Sequence, residues 1–252
     1  MPFCPHCGQQ MLETASFCPA CGKPASRPPS LSQSTLRRTT PPLPLGEYLK
    51  KGWELFKRYP GGFIGFVLVY LLIQIALSII PIVGRVAIFV VSVPLFMGNF
   101  IVSAKLLQGR TPQFGDFFLG FRFFVPLLLT ALVGGLLILV GLLLLIIPGI
   151  YLGVSYLFAK ILVVDRRLDF WPALELSRRS VQPIWFSMFG FALLLALVNL
   201  LGFIALGVGF LVTFPVSGCA VTAAYADIFG LQSDYSEGFP DKFSAAPEIS
   251  AP

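Results

Sequence analysis

Residues 125–147 read VPLLLTALVGGLLILVGLLLLII, and no residue in that run is charged. About 20 mostly apolar residues suffice to cross the roughly 30 Å of bilayer hydrocarbon. This one stretch therefore predicts a membrane-spanning helix. To either side, Gly61–Ile80 has the same character, and Pro183–Phe229 is nearly free of charge. Across all 252 residues, 56% are hydrophobic and 12% charged, with a mean hydropathy of +0.83. A soluble domain carries about 25% charged residues, and half that share cannot cover a water-facing surface.

Working outward, spans are expected at about 61–80, 86–107, 125–147, 149–164, 184–206 and 208–229. The fourth is short, and Lys160 near its end has to snorkel. Short turns at Pro81–Gly84, Pro148-Gly149 and Gly202–Gly209 carry almost no charge and join the spans into hairpins. Ahead of the first span, Tyr48, Leu49, Gly52, Trp53 and Phe56 share one helical face, and Lys50, Lys51, Glu54, Lys57 and Arg58 share the other. Such a helix lies in the membrane interface or caps the bundle. The predicted fold class is an all-α membrane protein: about six transmembrane helices in three hairpins with interfacial amphipathic helices.

Charge orients the hairpins. Lys50, Lys51, Lys57, Arg58, Arg110, Arg122, Arg166, Arg167, Arg178 and Arg179 fall on the side of the N-terminus, and Arg85 alone falls in a far-side turn. The excess of Lys and Arg on cytoplasmic loops predicts that both termini are cytoplasmic and that the protein sits in the cell inner membrane. The first twenty residues lack a basic region followed by an apolar one, so the first span is expected to direct insertion. The net charge of +6 points to contact with anionic membrane lipids. Nucleic-acid binding is the weaker reading of the same charge.

The first and third hairpins align without gaps at an offset of 121 residues: Glu54-Leu55 on Glu175-Leu176, Lys57-Arg58 on Arg178-Arg179, Pro94 on Pro215, and Gly109 on Gly230. In both copies the glutamate precedes its basic pair by three and four residues, the spacing at which helical side chains meet. A looser copy, Asp116, Phe117, Phe118, Phe121 and Arg122, precedes the middle hairpin. The expectation is three parallel units about an axis along the membrane normal. Pro94 and Pro215 are expected to kink their helices and to face the bundle interior close together. Asn99 and Asn199 are expected to hydrogen-bond between helices.

Cysteine spacing defines the N-terminus. Cys4-Pro-His-Cys7 and Cys18-Pro-Ala-Cys21 are paired C-x2-C knuckles, each followed by glycine. Two such knuckles offer a closed tetrahedral set of four thiolates, which suits Zn²⁺. Two disulfides or a redox dithiol are the competing readings, and a reducing cytosol argues against the former. A closed shell leaves no open position, so the metal is structural rather than catalytic. His6 lies inside a knuckle that already has its ligands, and Cys219 belongs to an apolar helix as a small packing residue. The domain expectation is a zinc ribbon over 1–24, a disordered Pro/Ser/Thr-rich linker over 25–45, the six-span body over 46–230 and a flexible cytoplasmic tail over 231–252.

The run Leu145-Ile146-Ile147-Pro148-Gly149-Ile150-Tyr151, then Val163-Val164-Asp165, then Phe170-Trp171-Pro172-Ala173-Leu174-Glu175-Leu176-Ser177-Arg178, resembles bacterial six-span membrane proteins of the YciC-like and DUF975-like families. These are similar to the membrane domain of some glycerophosphodiester phosphodiesterases. The resemblance covers about residues 46–230 and implies a fold. It implies no activity, because these families have no agreed reaction and no functional residues to transfer, and the phosphodiesterases keep their chemistry in a separate soluble domain.

The spans hold no HExxH, no paired aspartates at membrane depth and no histidine, and the chain has no Walker A loop. The expected function is therefore a noncatalytic membrane anchor or organiser whose tethered ribbon binds a cytosolic protein. A transporter or channel for a small or lipidic solute along the pseudo-axis is the alternative, and an enzyme acting on lipids a weaker third.

Overall fold

The structure is a computed structural model that describes residues 45–204 and 209–232. The chain divides into two units, Met1–Arg38 and Thr39–Pro252, and the described residues belong to the second. The expected ribbon over 1–24, the linker up to 44 and the tail from 233 lie outside them, and Leu45, expected to end the linker, begins the first helix.

Among the described residues the architecture is helical. Helix α1 covers Leu45–Arg58, α2 Pro60–Ser78 and α3 Val83–Leu107. A 3-10 segment over Phe114–Phe123 leads into α4, Phe124–Leu144. Then come α5 Ile146–Ser155, α6 Ala159–Arg166, α7 Phe170–Val181, α8 Trp185–Ile204 and α9 Phe210–Phe229. Six stretches are long and apolar enough to cross a membrane: Pro60–Ser78, Val83–Leu107, Phe114–Leu144, Ile146–Arg166, Phe170–Ile204 and Phe210–Phe229. The expected hairpins are α2–α3, α4 with α5–α6, and α8–α9.

The spans form an inner and an outer set. The most apolar windows of α3, α5–α6 and α9 are 56%, 44% and 61% buried, against 22% for each of the stretches containing α2, α4 and α8. The outer helices present Leu72, Ile75, Leu136, Leu143, Phe186 and Leu193 outward. Water would not tolerate so large an apolar face on a monomer, whereas lipid is its natural solvent.

Each unit is an amphipathic element followed by a hairpin, and each amphipathic element rests on the last span of the unit before it. The 3-10 segment packs on α3, α7 on α5 and α6, and α1 closes the circle on α9. The apolar face of α1, with Tyr48, Leu55 and Phe56 buried, is thus turned onto the bundle, while Lys50, Lys51 and Lys57 stay exposed.

These joints are backbone-close. A side chain on Gly98 of α3 would run into the carbonyl of Phe117, and one on Gly120 would run into the carbonyl of Pro94. At the α1 joint a Cβ on Gly52 would lie 2.8 Å from both the Val216 carbonyl and the Ala220 nitrogen. At the α7 joint the Ser177 hydroxyl donates to the Ser155 carbonyl at 2.7 Å.

That last bond explains the break between α5 and α6. The Ala159 amide bonds the Tyr156 carbonyl, three residues back, at 3.1 Å. The Ser155 carbonyl thereby loses its helical partner, and a freed carbonyl at membrane depth must be satisfied inside the protein. Ser177 does this from the neighbouring unit. The fourth span is consequently longer than the expected 149–164. It starts at Ile146, because Leu145 takes the extended conformation (φ −160°, ψ 135°) and makes the turn. Pro148 lies in the first turn of α5, where its missing N–H has no helical partner to lose, so Pro148-Gly149 does not form the expected turn.

All three inner spans stop in the left-handed region: Gly109 after α3 (φ 74°), Arg167 after α6 (φ 51°) and Gly230 after α9 (φ 73°). After α3 the Arg110 amide reaches the Lys105 carbonyl at 2.9 Å and the Gly109 amide reaches Leu106 at 3.1 Å. This is a Schellman end, which needs a residue tolerant of positive φ. Gly230, matched to Gly109 at 121 residues, shares its positive φ but not its ending: its ψ is 153° and its amide makes the ordinary four-back bond to Ala226 at 3.0 Å.

Candidate functional site

The sequence-selected residues of the membrane body converge on α9. Helices α3 and α9 run side by side, with Phe96 against Phe214 (ring centroids 6.0 Å), Asn99 against Gly218, and Ser103 Oγ 3.2 Å from Cys219 Sγ. Ser103 also donates to the Asn99 carbonyl at 2.7 Å. Cys219 is fully buried, in keeping with a packing role. On the α8 side, Asn199 Nδ2 donates to Ser217 Oγ at 2.7 Å and to the Leu195 carbonyl at 2.8 Å. Asn199 thus makes the expected bond between helices, whereas among the described residues Asn99 packs against Gly218 and its side chain bonds only Ser103 of its own helix, at 3.3 Å. Asn99 Nδ2 and Asn199 Oδ1 are buried without a partner among the described residues.

Pro94 and Pro215 are buried within helices that continue past them. Each proline turn lies beneath an amphipathic element: the Pro94 carbonyl faces Gly120, and the Val216 carbonyl, next to Pro215, faces Gly52.

At the end of the bundle that holds α1, side chains form a second polar layer. Lys105 Nζ pairs with Asp116 Oδ1 of the next unit at 2.7 Å. Asp116 also accepts the Gln113 amide at 2.7 Å, capping the 3-10 segment. Tyr225 Oη donates to Asp165 at 2.8 Å, and Arg166 donates to the Phe229 carbonyl at 2.7 Å. Tyr48 Oη donates to Asp227 at 2.8 Å, tying the first helix to the last. Burial, assisted by the Asp227 carboxylate, pushes the Tyr48 phenol above its ordinary pKa. These bonds put both ends of the membrane body on one face.

The two expected glutamate clusters diverge. Glu175 pairs with Arg178 (2.8 Å) and Arg179 (2.6 Å). In the first unit Arg58 turns away from Glu54 and donates to the Leu106 carbonyl of α3 at 3.3 Å. A helix-end carbonyl offers it a fixed acceptor that an exposed glutamate cannot match. The Asp165–Tyr225 and Lys105–Asp116 links were not legible beforehand. Their partners are 60 and 11 residues apart, and neither separation carries a periodic signal.

Lys160 lies on α6 and lines a cavity of about 440 Å³ between α3, α4 and α5–α6. Among the described residues no group of three or more His, Cys, Asp or Glu side chains could hold a metal ion.

Residues 3–25 match the zinc-ribbon domain family. No curated protein and no solved structure matches the chain. Zinc-ribbon domains generally bind zinc, and Cys4, Cys7, Cys18 and Cys21 all fall within the matched segment. Four thiol donors are the soft tetrahedral set that zinc favours. The chain thus carries an N-terminal zinc-ribbon domain and a helical, multi-pass membrane body.

Proposed function

We propose that this protein is a noncatalytic anchor of the bacterial inner membrane that presents its zinc ribbon to a cytosolic protein. Cys4, Cys7, Cys18 and Cys21 hold one Zn²⁺, which folds the ribbon and leaves no coordination position for chemistry. The Pro/Ser/Thr-rich stretch 25–45 tethers it to the body. The body belongs with the YciC-like six-span proteins that its sequence resembles.

The observation that carries this reading is the use of three aspartates of the body. Asp116, Asp165 and Asp227 are each engaged in a bond between units, to Lys105, Tyr225 and Tyr48. Polar groups that hold a bundle together are not available to turn over a substrate. The Phe96–Phe214 and Asn99–Gly218 contacts also pack the α3–α9 seam with side chains, which favours an anchor over a conduit.

A photocrosslinking residue placed in the ribbon of the full chain tests the proposal in cells. The expected result is a discrete set of soluble-protein adducts that disappears in Cys4→Ser and Cys18→Ser. Adducts unchanged by these substitutions, or solute flux by the purified protein in vesicles, would sink it.

The orientation is tested separately. Reporter fusions after residue 45 and at residue 252 are both expected to read cytoplasmic, because the Lys and Arg residues lie on that face. A C-terminal fusion reading periplasmic would require an odd number of spans.

A further inference from the structure

Lysine inside a membrane span is costly, and it is ordinarily paired or placed at the water interface. Lys160 lies six residues before Arg166, about 9 Å of helical rise inside the end of its span. Among the described residues no hydrogen bond or ion pair ends on its ammonium. It is not enclosed by protein either, because it lines the 440 Å³ cavity.

The cavity has two chemistries. Its buried lining is apolar at Val93, Met97 and Ile161; its polar lining is Lys160, Tyr156 and, on α4, Thr130, whose hydroxyl is already donated to the Pro126 carbonyl. Its lining includes exposed Phe96, Gly135 and Gly153 near the middle of their spans, and exposed Phe89 nearer the start of α3. The opening therefore faces the side of the bundle, where lipid tails lie, and not the aqueous end. A volume of this size is typical of small-molecule sites, which run about 300–1,000 Å³. Basic pockets between helices on the cytoplasmic side are suited to anionic headgroups.

We propose that this cavity binds an anionic amphiphile from the adjoining leaflet, with its acidic group on Lys160 and its acyl chain between α3 and α4. The acidic group supplies the counter-charge that the protein does not, and the chain fills apolar space that water would not hydrate well. The source of the acid is a phospholipid phosphate or a fatty-acid carboxylate; both satisfy the same chemistry.

Native mass spectrometry of the full chain tests this, with phosphatidylglycerol, oleate, phosphatidylcholine and inorganic phosphate added in turn. Phosphatidylglycerol or oleate is expected to bind, and whichever binds more tightly identifies the source. Lys160→Met is expected to weaken that binding by about tenfold or more, the usual weight of a charge-assisted contact. Lys160→Arg is expected to retain it. Gly153→Leu, where an added side chain meets open space, is expected to block the mouth while the protein stays folded. Equal binding of phosphatidylcholine, equal binding of inorganic phosphate, or unchanged binding in Lys160→Met and Gly153→Leu each overturns the proposal.

Discussion

Gly98→Leu is expected to prevent the first and second units from docking, with a loss of about 3 kcal/mol or more of stability. The new side chain points at the Phe117 carbonyl, which belongs to backbone and cannot rotate away. Gly120→Leu should act alike, since its side chain meets the Pro94 carbonyl from the opposite side. The surroundings are as unforgiving: Phe117 is stacked on Phe66 at 4.4 Å and edges onto Phe63 at 5.6 Å, all three fully buried. Gly61→Ala is the control, because a Cβ there meets nothing within 4 Å and alanine favours the helix by up to about 1 kcal/mol. Thermal unfolding of the detergent-purified protein, followed with the monodisperse yield, measures the difference. Should Gly98→Leu melt with the Gly61→Ala control, the interlocked joint is not what holds these units together.

The second large effect concerns metal. Protein purified without chelator should contain one zinc ion per chain, falling to none in Cys4→Ser and Cys18→Ser. Loss is expected to be complete rather than graded. A segment of some two dozen residues cannot bury enough apolar surface to fold alone, so metal binding and folding are one event. His6→Ala should keep its zinc, because both knuckles have their cysteines without it. Cys219→Ser should also keep its zinc, since that thiol is buried against Ser103. Metal analysis with a thiol count reads all four variants. Zinc-free protein with four reactive ribbon thiols would refute the assignment, and zinc lost in His6→Ala would move one ligand.

The two expectations have different footing in the sequence. The ribbon was legible because its information is local: the spacing of Cys4 to Cys7 and Cys18 to Cys21 sets the ligand geometry, and the matched segment 3–25 contains all four. The interlock was not. Gly98 and Gly120 look like ordinary glycines of an apolar region, and only the crossing of α3 by the 3-10 segment shows that no Cβ fits at either. The 121-residue register did pair two glycines of positive φ, Gly109 and Gly230, because a backbone turn that only glycine takes easily is a local demand. The end of the second unit's inner span was hidden, since Arg167 also takes a positive φ without being glycine.

By itself the sequence determined the membrane class, the number of spans, the hairpin pairing and the ribbon. Each follows from composition, run length or spacing along a short stretch, and the bilayer narrows the choice to helices because every backbone group must be satisfied. Only the tertiary structure decided how the units close on one another, why the fourth span breaks at Ser155, and where Lys160 points. Each of these depends on a partner far along the chain: Gly52 on Val216, Ser155 on Ser177, Lys160 on the gap between α3 and α4. Lipid-facing and protein-facing positions are equally apolar, so hydrophobicity within a membrane does not say which face meets which neighbour. That choice is made by close packing and a few buried hydrogen bonds, which exist only once the helices have met.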